Sequence, residues 1–188
     1  DGAAVANLKT LALHGQNKSA HAKAQGGGWE YDILMPGYKC NLTDLHAALG
    51  LVQLYRYPET LERRRTIVAR YTAAFRDNPR LAVPPFTDPA RECAWHIYPL
   101  ILADQDRNGR DNFIKEMEKR KIGVNVHFKL IPEFSAYRGM FDSRGFPQAR
   151  AMSEREVTLP LYPGLRDDEV ERVITAVRES LAVLPAVR

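Results

Sequence analysis

Residues 36–54, PGYKCNLTDLHAALGLVQL, decide how the rest of the chain is read. Pro36-Gly37 is a turn signal, and Tyr38 and Lys39 follow it. Asn41 then stands as a helix N-cap, with Asp44 three residues on completing a box-like pair. Leu45, Ala48, Leu49 and Val52 recur at helical spacing and form one apolar face. A structural helix does not require a lysine displayed just ahead of its start. A helix N-terminus offers free N–H groups and partial positive charge, and an ammonium on a flexible stem adds a point charge. The segment therefore suits an anion such as a phosphate. The residues alone leave a second reading open, in which Asn41 only caps and Lys39 is solvated.

Upstream, residues 3–13 read as a short helix with Val5, Leu8 and Leu11 or Leu13 inward, stopped at His14-Gly15. Residues 16–37 form a long polar, Gly-rich loop that carries Trp29 and Tyr31, and loops of such length are often functional. Downstream, Pro58 interrupts the helical pattern. A second helix is expected over 59–75, with Leu61, Val68, Tyr71 and Phe75 inward and Arg63, Arg64 and Arg65 toward solvent. Residues 93–102 alternate and read as a strand, with His96 within the sheet. A helix capped near Asn108 leads to a second strand over 122–128, and a short extended piece covers 157–164. Asp167 or Asp168 opens a last helix with Val170, Val173, Ile174, Val177 and Leu181 on one face.

The order is helix, loop, helix, long helix, then strand–helix–strand–helix–strand–helix. The second half has enough apolar faces for its own small α/β layer. The helices of the first half carry wide apolar stripes with no strand to cover them, which points to a partner surface outside this stretch of sequence.

Composition sets the outer limits. The chain has 188 residues, 45% hydrophobic and 27% charged, ordinary for a soluble globular domain with one sizeable core or two small ones. No apolar run is long enough for a membrane span and no leader pattern opens the chain. Cys40 and Cys93 show neither metal-ligand nor disulfide spacing, so a cytoplasmic location is expected. A net charge of +4 is compatible with an anionic ligand without requiring one. The ERRR run at 62–65 lacks interleaved aromatics and reads as a solvated face, so no nucleic acid is expected as partner.

Several motifs occur together in one order: LHG (13–15), PGYKCNLTDLHAALGLVQL (36–54), the Arg-rich long helix, CAWHIYPL (93–100), KRKIGVNVHF (119–128) and LPLYPGLRDDEVERVITAV (159–177). In this order and spacing the chain resembles the DegT/DnrJ/EryC1/StrS aminotransferases, over nearly its whole length. The nearest likeness is to the branch that makes UDP-4-amino-4-deoxy-L-arabinose, which shares PGYK and NLTD where most relatives have an Asn-x-Arg pair. The resemblance implies an α/β fold of the fold-type I class, with pyridoxal 5'-phosphate (PLP) as cofactor. It implies a nucleotide-linked keto-sugar as substrate, glutamate/2-oxoglutarate as amino donor pair, a homodimer, and a role in cell-surface polysaccharide or lipopolysaccharide synthesis.

On this resemblance the chain corresponds to a C-terminal half. Residues 1–57 match the end of the large cofactor-binding domain, 58–80 a linking helix and 81–188 the small domain. The Schiff-base lysine is then expected upstream, so no residue here is catalytic and the chain alone is expected to be inactive. Lys39 and Asn41 correspond to a segment that reaches the cofactor phosphate of a neighbouring subunit. His127 corresponds to a histidine at the substrate mouth, with Phe128 and Trp29 as further substrate contacts, Trp29 by stacking on uracil or sugar or by anchoring an interface. Two other readings remain: a sugar dehydratase of the same fold, and a binding or regulatory module without catalysis.

Overall fold

The computed structural model describes residues 1–17, 30–40, 42–83, 90 and 92–186. They group into two compact units, Asp1–Arg56 and Tyr57–Arg188. Along the chain the elements are α1 (Gly2–Ala12), α2 (Asp44–Phe75), β1 (Leu81–Ala82), β2 (Tyr98–Leu102), α3 (Arg107–Lys119), α4 (Pro147–Arg155), β3 (Glu156–Leu159) and α5 (Asp167–Ala182). Short 3-10 turns at Ile131–Glu133 and Ser143–Gly145 lie between α3 and α4.

The second unit is built on a sheet of order β1-β2-β3, antiparallel throughout. Tyr98 pairs with Leu159 and Leu100 with Val157, so large apolar residues sit opposite one another. The expected face of α5 is buried in full: Val170, Val173, Ile174, Val177 and Leu181 are each at most 4% exposed. Phe113 and Met117 of α3, with Ile67, Tyr71 and Phe75 of α2, complete the core. The two core tyrosines place their rings edge to face at 5.1 Å. Each hydroxyl finds a partner, Tyr71 donating to Pro160 O at 2.9 Å and Tyr98 meeting Thr72 at 3.2 Å. Burial pushes both phenols up from their ordinary range.

Four sequence expectations are corrected here. The chain does not break at Pro58, and α2 runs unbroken for 32 residues. An interior proline costs roughly 3 kcal/mol, and burial of Ile67, Val68, Tyr71 and Phe75 farther along the helix offsets it. The strand expected over 93–102 begins only at Tyr98, because Trp95 takes a left-handed backbone with φ 51° that ends any extended run. The strand expected over 122–128 reduces to a single bridge between Asn125 and Thr158. Two residues on, the His127 amide donates to a carboxylate in place of a ladder carbonyl.

The arginine run is not a solvated face either. Arg63 and Arg70, both half-buried, reach Asp167 at 2.8 and 2.9 Å, and Arg65 pairs with Glu92. Two guanidinium groups thus meet the carboxylate that opens α5, where an anion also complements the helix dipole. Arg63 holds the Asp167 carboxyl below the usual carboxylate range.

Candidate functional site

In the first unit, two glycine-bearing motifs lock together. Gly15 has φ 76°, and a side-chain carbon there would fall 1.7 Å from the Met35 carbonyl oxygen. A side-chain carbon on Gly37 would fall 2.2 Å from the Gly15 nitrogen. Both positions therefore need glycine for close backbone approach. The approach creates a ladder along the end of α1: Tyr38 N–H donates to Leu11 O at 2.7 Å, His14 N–H to Tyr38 O at 2.9 Å, and Cys40 N–H to Ala12 O at 2.9 Å. Lys39 lies inside that ladder, bridged to Leu13. Its backbone is fixed on both sides while its side chain is exposed, with no carboxylate partner among the described residues. LHG and PGYK are thus one structure.

The helix start differs from the expectation. α2 begins at Asp44, and Thr43 takes the cap: its carbonyl accepts from Ala47 N–H at 2.9 Å and its hydroxyl from His46 N–H at 3.4 Å. The hydroxyl also meets His46 Nδ1 at 2.8 Å. Asn41, the cap expected from the sequence, lies outside the described residues, as does Trp29.

In the second unit the site centres on His127. Its backbone N–H donates to Glu156 Oε2 at 2.7 Å and its ring Nδ1 meets Thr158 Oγ1 at 2.9 Å. The Thr158 hydroxyl donates in turn to Glu156 Oε1. Glu156 and Thr158 lie two residues apart and so share one face of β3. Glu156 is 2% exposed, and that burial pushes its carboxyl up from the ordinary range, while hydrogen bonds from Thr158 and His127, and the charge of Arg110, pull the other way.

The ring is half-buried and stands edge-on to Phe128 at 4.7 Å. Phe128 is itself 73% exposed at the rim of an apolar cavity of about 570 Å³. Leu130, Phe141, Phe146 and Met152 line that cavity, with His127, Lys129, Ser153 and Glu156 as polar members. A second cavity of about 400 Å³ is also lined by His127 and is bordered by His96 and Asn125. His96 is exposed, because the sheet begins two residues after it, which corrects its placement within the sheet.

The sequence singles out His127 but not the two residues that its backbone and ring contact. Glu156 and Thr158 sit in an apolar strand, EVTL, where the one available signal was a charged residue entering an otherwise buried run. Among the described residues, no group of three His, Cys, Asp or Glu could hold a metal ion, and no helix is long and apolar enough to cross a membrane.

A small antiparallel α/β unit joined by a long helix to a unit with open apolar faces is the architecture of part of a PLP-dependent sugar aminotransferase fold. The family model described as the DegT/DnrJ/EryC1/StrS aminotransferase family matches residues 1–178, and the chain belongs to that family. It is 38% identical over 178 residues to the spore coat polysaccharide biosynthesis protein SpsC of Bacillus subtilis, covering 92% of this chain and 45% of the relative. An uncharacterized protein of Methanocaldococcus jannaschii, MJ1066, is 36% identical over 176 residues, with the same coverage of 92% and 45%. Among solved structures, Spr1654 of Streptococcus pneumoniae, assigned as a sugar aminotransferase, superposes in its PMP form with a TM-score of 0.86 at 41% identity, over 98% of this chain and 46% of that one. The same protein is known in a PLP form, which superposes at 0.81. The chain spans about half the length of the curated relatives it matches.

Proposed function

We propose that the chain is part of a PLP-dependent aminotransferase that transfers an amino group from glutamate to a nucleotide-linked keto-sugar, for cell-surface polysaccharide synthesis. The observation that carries this reading is the family membership over residues 1–178, joined to a lysine presented on a fixed backbone ladder. The assignment of residues 1–57 to the large domain, 58–80 to a linking helix and 81–188 to the small domain follows the same reading. So does the branch assignment to UDP-4-amino-4-deoxy-L-arabinose synthesis, which rests on PGYK and NLTD.

The described residues fit one end of the cofactor. Among the described residues the exposed Lys39 ammonium has no carboxylate partner, and it stands on a rigid base suited to a phosphate. Asn41, outside the described residues, is assigned to the same role. PLP supplies an electron sink for amino transfer when bound. The chain contributes binding and orientation: Lys39 neutralises phosphate charge, the His127 ring offers a hydrogen bond to the sugar, and Phe128 excludes water at the cavity rim. Pairing of Lys39 with the cofactor of a twin subunit makes the working form a homodimer.

The test is an assay of the full polypeptide that contains this chain, with PLP, glutamate and a UDP-4-keto-sugar. Formation of 2-oxoglutarate with an aminated sugar is expected, and Lys39→Ala should weaken PLP retention roughly tenfold, about 1.4 kcal/mol. Water loss from the sugar without amino transfer would instead establish a dehydratase, and sugar binding without turnover a binding module. Either result overturns the proposal.

A further inference from the structure

The three polar side chains beneath the cavity wall hold more information than their proximity. A threonine hydroxyl has one proton and two lone pairs. With Glu156 ionised, its carboxylate can only accept, so the Thr158 proton goes to Glu156 Oε1 and a lone pair of Oγ1 faces His127 Nδ1. An oxygen presenting a lone pair requires a donor opposite, which places the imidazole proton on Nδ1. The carboxylate cannot swing away to relax this order, because its other oxygen accepts the His127 backbone N–H at 2.7 Å. Ring Nε2 has no hydrogen-bond partner among the described residues, and His127 borders both cavities.

We infer that Glu156 and Thr158 are positioning residues that hold neutral His127 as the Nδ1–H tautomer, so that Nε2 faces the substrate as an acceptor and reads a hydroxyl of the sugar rather than its phosphates. The tautomer rests on this geometry alone; the hydroxyl rests also on the aminotransferase reading. The physical distinction is sharp. A lone pair on Nε2 accepts from a hydroxyl and repels a phosphate oxygen, whereas the opposite tautomer would donate to the phosphate.

The relay is tested on the 188-residue chain with labelled histidine, by long-range proton–nitrogen correlation at pH 8. His127, assigned by its loss in His127→Gln, should show a protonated Nδ1 and a bare Nε2. Thr158→Val should move the proton to Nε2, and Thr158→Ser should keep it on Nδ1. Should the valine variant fail to fold, Glu156→Gln serves the same end: its amide donates to Thr158 and releases the hydroxyl proton toward Nδ1. A parent chain with Nε2 protonated, or a valine variant with an unchanged pattern, overturns the relay.

The hydroxyl is tested in the assay of the full polypeptide. Thr158→Val should raise KM for the keto-sugar about fivefold, about 1 kcal/mol of hydrogen bond, with KM for glutamate and inhibition by UDP unchanged. Thr158→Ser should restore it. Parallel weakening of UDP inhibition would overturn the hydroxyl assignment, and absence of transamination in the parent would sink the aminotransferase reading while leaving the nitrogen spectrum to decide the relay.

Discussion

The two halves of α2 carry apolar residues at similar spacing and meet opposite fates. Leu45, Leu49 and Val52 in the first half are 81%, 66% and 53% exposed, while Val68, Tyr71 and Phe75 in the second are 4%, 0% and 0% exposed. Nothing in the local pattern separates them. A helix does not bury its apolar face by being amphipathic; it needs a complementary surface, and α5 with the sheet supplies one only from Ile67 onward. The same contrast holds between the units: α1 buries no residue, whereas α5 buries seven of its sixteen. The second unit encloses a hydrophobic core of its own. The first is a backbone scaffold whose apolar side chains await a cover.

That contrast predicts a steep difference in mutational cost. Phe75→Ala removes a fully buried ring from the core and should cost about 3–5 kcal/mol, read by urea denaturation. A cost near 1 kcal/mol would mean the core is looser than its packing implies. The next largest effect should fall on Arg80, whose Nε donates to Asp104 at 2.5 Å while Nη1 and Nη2 donate to Leu181 O at 2.6 Å and Leu184 O at 3.0 Å. This one side chain ties the residue ahead of β1 to the C-terminal end of α5 and to the segment just beyond it. Arg80→Ala should cost about 2 kcal/mol, and Arg80→Lys should rescue it poorly, since one ammonium cannot span three acceptors.

A third effect separates the polar site from the core by its pH dependence. The Glu156 carboxyl is raised by burial, so the folded chain holds its proton to higher pH than the unfolded chain does. The stability this proton contributes is fully present below the unfolded value and is lost as pH rises through the folded value. Glu156→Gln has no such proton. Relative to the variant, the parent should therefore lose stability as pH climbs out of the ordinary carboxylate range, then run parallel to it. Asp167 has the opposite sign: Arg63 lowers it, so its contribution is lost as pH falls. A difference curve between parent and Glu156→Gln that is flat from pH 4 to 8 would show that burial does not perturb this carboxyl.

Much of the second unit was legible in the sequence because its elements obey one period each. The buried face of α5 and the inward positions of α2 after Pro58 were readable from residue spacing. The two strand expectations failed for one physical reason, that the backbone took a course the side-chain pattern does not display. Trp95 left the extended region, and the His127 amide chose a side-chain carboxylate over a strand. The proline signal failed for a different reason, since tertiary burial outweighed a local penalty. At the site, His127 and Lys39 stood out by their motifs, whereas Glu156 and Thr158 act through a neighbour two strand positions away and left no spacing signature. Gly15 and Gly37 were visible as turn residues, but their mutual contact joins positions 22 residues apart and is a tertiary fact.

The smallest expected effect is the most informative about the open face. Leu49 is 66% exposed, so Leu49→Ala removes little buried area and should change stability by at most about 0.5 kcal/mol. Alanine is also the better helix former, which trims even that loss. The expectation holds only while the face is uncovered. If the chain pairs with a second copy through Leu45, Leu49 and Val52, the same substitution would cost several times more, and the cost would grow with protein concentration, because association stabilises by mass action. Measuring Leu49→Ala at two concentrations a hundredfold apart therefore separates an open face from a covered one. Equal and small effects leave the contrast between the two halves of α2 intact. A large effect at the higher concentration alone would mean that the first half of the helix, like the second, has found the surface its pattern calls for.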